Sequence, residues 1–322
     1  MLLSLAQLAL DGAALPVTHA AHQPFMWTSL GLQRGIALGP FMLRYYSLAY
    51  LGGILFAYWH LSRMVRLPGA PLAQRHVDDL FLGCTVGIIA GGRLGYALFY
   101  TGGDTGLPSL FTHFTPGERI SWDLLRLWDG GMSFHGGFMG VVAAIAWVCW
   151  REKLNFLRVA DYIAPCAPIG QMLGRIANFI NGELWGRVAE GDVAWAMVFP
   201  GGGPQPRHPS QLYEAALEGL VLAIVLIPLF WKTAVRFRPG LLAGLFPLGF
   251  GLARFVVEFY REPDAQLADF ARATHLSMGQ WLCLPMIAVG GFFVIRGLIR
   301  PPLGTSRSPL GTSRPPLGTG HP

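Results

Sequence analysis

Charge is what this 322-residue chain has least of: 13% of its residues are Asp, Glu, Lys or Arg, against about 25% in an ordinary soluble domain. Apolar blocks near 20 residues long recur instead, the length needed to cross a bilayer as helix. Together these exclude a water-soluble globular class. Cysteine is also scarce. Cys84, Cys149, Cys166 and Cys283 lie far apart, inside or beside apolar segments, with no CxxC pair and no His/Cys cluster. That pattern carries neither zinc nor redox chemistry, so no metal and no cofactor is expected, and the thiols read as small buried hydrophobes. The first twenty residues, MLLSLAQLALDGAALPVTHA, lack any Lys or Arg. Their apolar run is too short to span and has no basic lead, so it reads as an extension and not as a cleaved signal peptide.

What is present is a set of seven apolar segments, at about 41–59, 79–100, 132–150, 160–180, 211–231, 240–260 and 280–299. The expected fold class is therefore all-α, a polytopic membrane protein of about seven transmembrane helices in the lipid bilayer. Cations set its orientation. Of the 24 Lys and Arg residues, thirteen fall in the short loops 60–76, 151–158, 232–238 and the tail from 296, and eight in the longer opposite segments. This density difference predicts the amino terminus outside and the carboxyl terminus inside. The same placement, in loops and along no single face, explains the net charge of +6 without nucleic acid. Residues 1–40 form an extracytoplasmic extension in this reading, 41–300 the transmembrane domain with a small outer segment at 181–210, and 301–322 a tail. That tail repeats PPLGTSR, SPLGTSR and PPLGTGH, a composition that builds no core and predicts disorder.

The three remaining cations, Arg93, Arg175 and Arg254, fall within predicted spans. A cation at that depth costs at least ~2.5 kcal/mol on insertion scales, so each needs a partner or an anionic ligand. In Gly174-Arg175-Ile176-Ala177-Asn178-Phe179-Ile180-Asn181-Gly182-Glu183-Leu184-Trp185-Gly186, Arg175 and Asn178 share a helix face. The helix should stop at Asn181-Gly182, leaving Glu183 just beyond it. A fixed cation, an amide and a carboxylate in one line suit a phosphate arriving from the outer leaflet. An internal Arg175–Glu183 ion pair explains the same residues structurally. Arg254 and Glu258, four apart, can pair on one helix face, and Arg175 with Arg254 could clamp a phosphate from two helices.

In Trp128-Asp129-Gly130-Gly131-Met132-Ser133-Phe134-His135-Gly136-Gly137, His135 is a candidate to accept a thiol proton. A histidine hydrogen-bonded between helices is the plainer alternative. Tyr46 fits an aromatic belt at the outer interface. Arg93, set among glycines in Gly91-Gly92-Arg93-Leu94-Gly95-Tyr96, admits a packing role as readily as a binding one. Arg207-His208-Pro209-Ser210-Gln211-Leu212-Tyr213-Glu214 reads as a polar helix start with Ser210 as N-cap.

Taken in order, RYYSLAY, GGRLGY, WDGGMSFHGG, GRIANFINGELWGR, RHPSQLYE, GLARFVVEFYREPDAQ and SMGQ resemble the motifs of bacterial prolipoprotein diacylglyceryl transferases over roughly residues 40–300. Ser47, the short outer segment between Pro200 and Arg207, and the repeat tail depart from that pattern. The resemblance implies a seven-helix enzyme of the cell inner membrane, with its active cavity open to lipid and periplasm. Such an enzyme moves the diacylglyceryl group of phosphatidylglycerol to the lipobox cysteine of a prolipoprotein signal peptide and releases glycerol phosphate. It implies His135, Arg175, Arg254, Glu183, Glu258 and Tyr46 as catalytic residues, with His135 or a carboxylate as base, and Arg175, Asn178, Gly186 and Arg254 as the lipid-binding residues. Arg93 joins them as a candidate binding cation. The rival reading from another class is a membrane transporter for an organic anion, which would also need arginines at depth. Inverted repeats, which many transporters carry, are not evident.

Overall fold

The computed structural model describes residues 24–38, 41–99, 131–262 and 276–303. Readings that fall on residues 1–23, on Trp128–Gly130, on Pro263–Gln266 and on the tail beyond 303 lie outside these. The helices are α1 (Tyr45–Met64), α2 (Gln74–Phe99), α3 (Phe134–Arg151), α4 (Phe156–Ile163), α5 (Ala167–Asn181), α6 (Ser210–Glu214), α7 (Leu222–Lys232), α8 (Leu241–Val257) and α9 (Met278–Ile299). A π-helical stretch, Ala215–Val221, joins α6 to α7, so Ser210–Lys232 runs as one 23-residue rod.

Among the described residues three helices are long and apolar enough to cross a membrane: Gln74–Leu98, Ser210–Lys232 and Met278–Ile299. Leu241–Val257 is apolar but shorter. Their outward faces carry Ile224, Leu252, Phe292 and Leu298, all more than half exposed. Apolar surface of that extent suits contact with lipid. Inward, Met64, Tyr162, Leu226, Phe230 and Leu242 are fully buried in one core. Asp161 of α4, itself buried, accepts hydrogen bonds from the backbone N–H groups of Gly240 (2.7 Å) and Ala243 (2.8 Å). A carboxylate there satisfies orphan donors at the start of α8 and complements its dipole. All four cysteines are free. His60, which the expected boundary at 59 left out of the first span, lies buried within α1 and accepts a hydrogen bond from Trp231 Nε1 at 2.9 Å.

Helices α2 and α3 cross at a seam of small residues. Gly83, Gly87, Gly91 and Gly95 recur every four residues, as do Gly136, Gly140 and Ala144 opposite them. Backbone meets backbone there: a Cβ on Gly140 would run into the Gly87 carbonyl. Close approach of this kind is how helices bind one another in lipid. We expect Gly140→Ala to lower the unfolding temperature in detergent, since forcing a methyl into a filled seam costs about 1–3 kcal/mol. Gly137→Ala, whose methyl would meet nothing nearer than the Ile88 carbonyl at 3.5 Å, should leave it unchanged or raise it. Equal effects from the two substitutions would refute the seam.

At one end of the molecule Arg151 pairs with Asp79, while Arg75 and His76 each reach Glu152 at 3.3 Å, tying α2 to α3. At the other end a small second core forms. Strand β1 (Phe25–Met26) pairs in parallel with β4 (Met197–Val198), and β2 (Gly35–Leu38) pairs antiparallel with β3 (Phe41–Arg44). Trp27 packs with Met197 and Phe199 and donates its indole N–H to the Phe179 carbonyl at 2.8 Å. Residues 24–38, part of the segment read as an extension, are thus pinned to the end of α5.

Candidate active site

Three helices bring six charged side chains together. Arg175 comes from α5, Glu214 from the last residue of α6, Glu218 from the π-helical stretch, and Arg254 from the last turn of α8. Glu258 caps α8, and Arg261 follows it. One oxygen, Glu214 Oε2, meets both Arg175 Nε at 2.7 Å and Arg254 Nη1 at 3.1 Å. Its other oxygen faces Arg261 Nε at 3.4 Å. Glu258 Oε2 lies 3.3 Å from Arg254 Nε and 3.6 Å from Arg261 Nη1. Glu218 stands further off, 3.5 Å from Arg254 Nη1 and 3.8 Å from Arg175 Nη2.

The three carboxylates are buried: Glu214 is 1% exposed, Glu218 0% and Glu258 7%. The guanidiniums keep 16–21% of their side-chain surface. Charge balance makes such a group tolerable. Desolvating either sign alone is prohibitive, whereas three cations facing three anions offset one another. A guanidinium carries five N–H donors, so Arg175 and Arg254 retain donors for a further acceptor on their accessible side. The cluster therefore offers two planar forks, fixed in direction by shared carboxylates, to an anion. Glycine makes room for it at one point. A Cβ on Gly279, in the SMGQ motif, would lie 2.6 Å from the Glu258 carboxyl carbon.

Asn178 and Glu183 lie at the end of α5, one of the helices that carry the cluster. Helix α5 ends as its sequence requires: Gly182 takes φ +68° as C-cap, and Glu183 N donates to the Asn178 carbonyl at 3.1 Å. Glu183, however, is not the partner of Arg175. Its Oε1 accepts from Asn178 Nδ2 at 2.9 Å and Asn181 Nδ2 at 3.1 Å, because the cap turns it back along its own helix. Tyr46 contacts Tyr50 hydroxyl to hydroxyl at 3.3 Å and lies within electrostatic range of Glu183 and Arg175. Ser210 is not the N-cap of α6. Pro209 holds that place, and the Ser210 hydroxyl donates to the Leu184 carbonyl at 3.2 Å.

Gly186 sits where three chain segments cross. Its N–H donates to the His208 carbonyl at 2.9 Å, and Arg187 N donates to the Tyr260 carbonyl at 2.9 Å. A side chain at 186 would strike both carbonyls. This crossing fixes Arg261, whose backbone bridges Gly186. Beside it, Tyr213 receives the Trp195 indole N–H at 2.6 Å and contacts His208 Nδ1 at 3.1 Å. Burial holds His208 below the usual histidine pKa.

Arg93 and His135 stand elsewhere. Arg93 Nη1 donates to the Gly131 carbonyl at 2.9 Å, with its guanidinium 5.5 Å from the centre of the Tyr96 ring. His135 is exposed in the first turn of α3. Among the described residues, none of the six members of the cluster hydrogen-bonds or pairs with it.

Residues 34–296 match the family model of prolipoprotein diacylglyceryl transferase. The chain belongs to this family. It is 55% identical over 287 residues to the phosphatidylglycerol–prolipoprotein diacylglyceryl transferase of Erythrobacter litoralis, covering 89% of this chain and 96% of that protein. Proteins of the same name from Rhodospirillum rubrum and Zymomonas mobilis are 49% and 46% identical, over 83% and 81% of this chain and 92% and 85% of theirs.

Three members of the cluster have no site role on sequence grounds: Glu214 belongs to a polar helix start, Glu218 lies in an apolar segment, and Arg261 falls among the outer cations. Glu214 and Glu218 are two carboxylates four residues apart inside the 211–231 apolar segment. A search of the spans for anions as well as cations finds both.

Proposed function

We propose that this chain transfers the diacylglyceryl group of phosphatidylglycerol to the lipobox cysteine of prolipoproteins, the first step of bacterial lipoprotein maturation. The observation that carries the mechanism is the meeting of Arg175 and Arg254, from separate helices, on a single carboxylate oxygen. In this proposal their remaining donors take the lipid phosphate. The cysteine sulfur attacks the glycerol carbon that bears the phosphoester, a thioether C–S bond forms, and the C–O bond breaks. Its electron pair leaves on the phosphate oxygen as glycerol phosphate. Only a few per cent of a free thiol is ionised near neutrality, so a base assists. His135 is proposed for that role. Developing negative charge on the phosphate is stabilised by donors that are already oriented.

Residues 41–300 form a seven-helix catalytic domain in the inner membrane, amino terminus out and carboxyl terminus in, with the cluster toward the periplasm. Residues 1–40 form the outer extension, 181–210 the small outer segment, and 301–322 the cytoplasmic tail. Asn178 and Glu183 shape the outer rim of the site, Glu258 orients Arg254, and Gly186 keeps the crossing that seats Arg261. Tyr46 lines the lipid side. Arg93 secures the motif that presents His135.

Purified protein incubated with phosphatidylglycerol labelled in its headgroup and a lipobox peptide is expected to release labelled glycerol phosphate and to yield a diacylglyceryl peptide. A peptide with serine for cysteine should give neither. Headgroup release that ignores the cysteine, or uptake of an organic anion without covalent product, would overturn the proposal.

A further inference from the structure

Glu218 has no place in the scheme above, yet among the described residues it is the charged side chain with the least exposed surface. It is 0% exposed, and neither of its carboxyl oxygens makes a hydrogen bond. Every other carboxylate of the cluster is held more closely. Glu214 touches three guanidiniums at 2.7–3.4 Å and Glu258 two at 3.3 and 3.6 Å, whereas Glu218 has cations no nearer than 3.5 and 3.8 Å. It is carried on a π-helical turn, a local departure from α-helix that is found frequently at functional sites. The groups that face it are Arg175 from α5, Glu214 from its own rod, and Arg254 with Glu258 from α8. The buried Cys283 of α9 is within its electrostatic range, and Arg261 completes the cluster through Glu214.

Counted as ionised, the cluster holds three positive and three negative charges. A phosphodiester docking on Arg175 and Arg254 adds one negative charge to a neutral group buried away from water. In a low-dielectric site that excess is expensive, and the least-solvated carboxylate relieves it by taking up a proton. We infer that Glu218 is the proton acceptor that keeps the buried cluster electroneutral when an anionic phosphate lipid binds. Once protonated, Glu218 leaves both guanidiniums to the phosphate and gains an O–H donor of its own. Lipid binding and proton uptake are then linked, and each strengthens the other. Glu218 is a positioning residue in this sense. It sets how much positive charge Arg175 and Arg254 present.

This rests on the proposed phosphate site, and the test separates the two. Phosphatidylglycerol in mixed micelles is titrated into the full-length protein without acceptor peptide, by calorimetry in two buffers of different ionisation enthalpy. Wild type should take up about one proton per lipid bound, with affinity falling about tenfold per pH unit once Glu218 is ionised in the free protein. Glu218→Gln should bind lipid with no proton uptake and a flat pH dependence, while Cys283→Ser should retain the uptake. Lipid binding to wild type without proton uptake, or uptake that persists in Glu218→Gln, removes Glu218 from this role and leaves the phosphate site standing. Binding undiminished in Arg175→Ala removes the phosphate site, and this inference with it. Should Glu218→Gln fail to fold, infrared difference spectra of wild type decide the matter. Lipid addition must raise the carbonyl band of a protonated carboxyl group, and its absence overturns the inference.

Discussion

Arg175→Lys is expected to transfer diacylglyceryl about a thousandfold more slowly than wild type, the upper range for loss of one oriented donor at a developing oxyanion. The positive charge survives the substitution, so the loss isolates geometry. Arg175 meets Glu214 through Nε at 2.7 Å and Glu218 through Nη2 at 3.8 Å. One planar group therefore addresses two carboxylates and still has donors over. An ammonium is a compact point with three rotatable donors and no fixed fork. Lysine at 175 would settle on Glu214, the closer carboxylate, and leave the phosphate without a directed partner. Rates measured against phosphatidylglycerol concentration should show the turnover falling as well as the affinity, because the charge to be stabilised grows as the C–O bond breaks. Near-normal turnover by this variant would dismiss the two-arginine clamp.

The sequence carried much of this architecture, for physical reasons that particular residues make plain. Gly182 ends α5 because a left-handed residue is needed there, and asparagine followed by glycine announces it. Arg254 and Glu258 pair because four residues return to the same helix face, and their 3.3 Å contact follows. The glycines of GGRLGY and SFHGG are legible as places of close approach, though not as partners of one another. What was not legible is tertiary. The structural alternative, an ion pair of Arg175 with Glu183 eight residues on, does not form, because the carboxylates of Arg175 lie 39 and 43 residues away on another helix. Arg261 has the sequence setting of a loop cation, yet its backbone bridges Gly186. Pairings across such separations leave no local pattern. The burial of two glutamates in an apolar segment does leave one, since intramembrane anions need partners as much as cations do.

Glu214→Gln should be the most destabilising single change in the cluster, at about 3–5 kcal/mol, the usual loss when one member of a buried ionic group is removed. Glutamine keeps the shape but takes away the charge that three arginines share, at 2.7, 3.1 and 3.4 Å. The cluster is left with three cations and two anions around a side chain that is itself only 1% exposed. Glu262→Gln supplies the control. Glu262 also pairs with an arginine, Arg207, at 2.8 Å, but its side chain is 51% exposed, so its removal should cost no more than about 1 kcal/mol. Unfolding of both variants in mixed detergent micelles measures the difference. A second substitution tests the cause. Arg261→Gln added to Glu214→Gln restores the charge count and should recover part of the lost stability, although each change alone is harmful. Such coupling is expected only of residues that share one network. Equal stability of Glu214→Gln and Glu262→Gln would mean that the shared carboxylate does not hold the guanidiniums. The arginines would then be free to turn, and a clamp that must be oriented before the lipid arrives would have nothing to orient it.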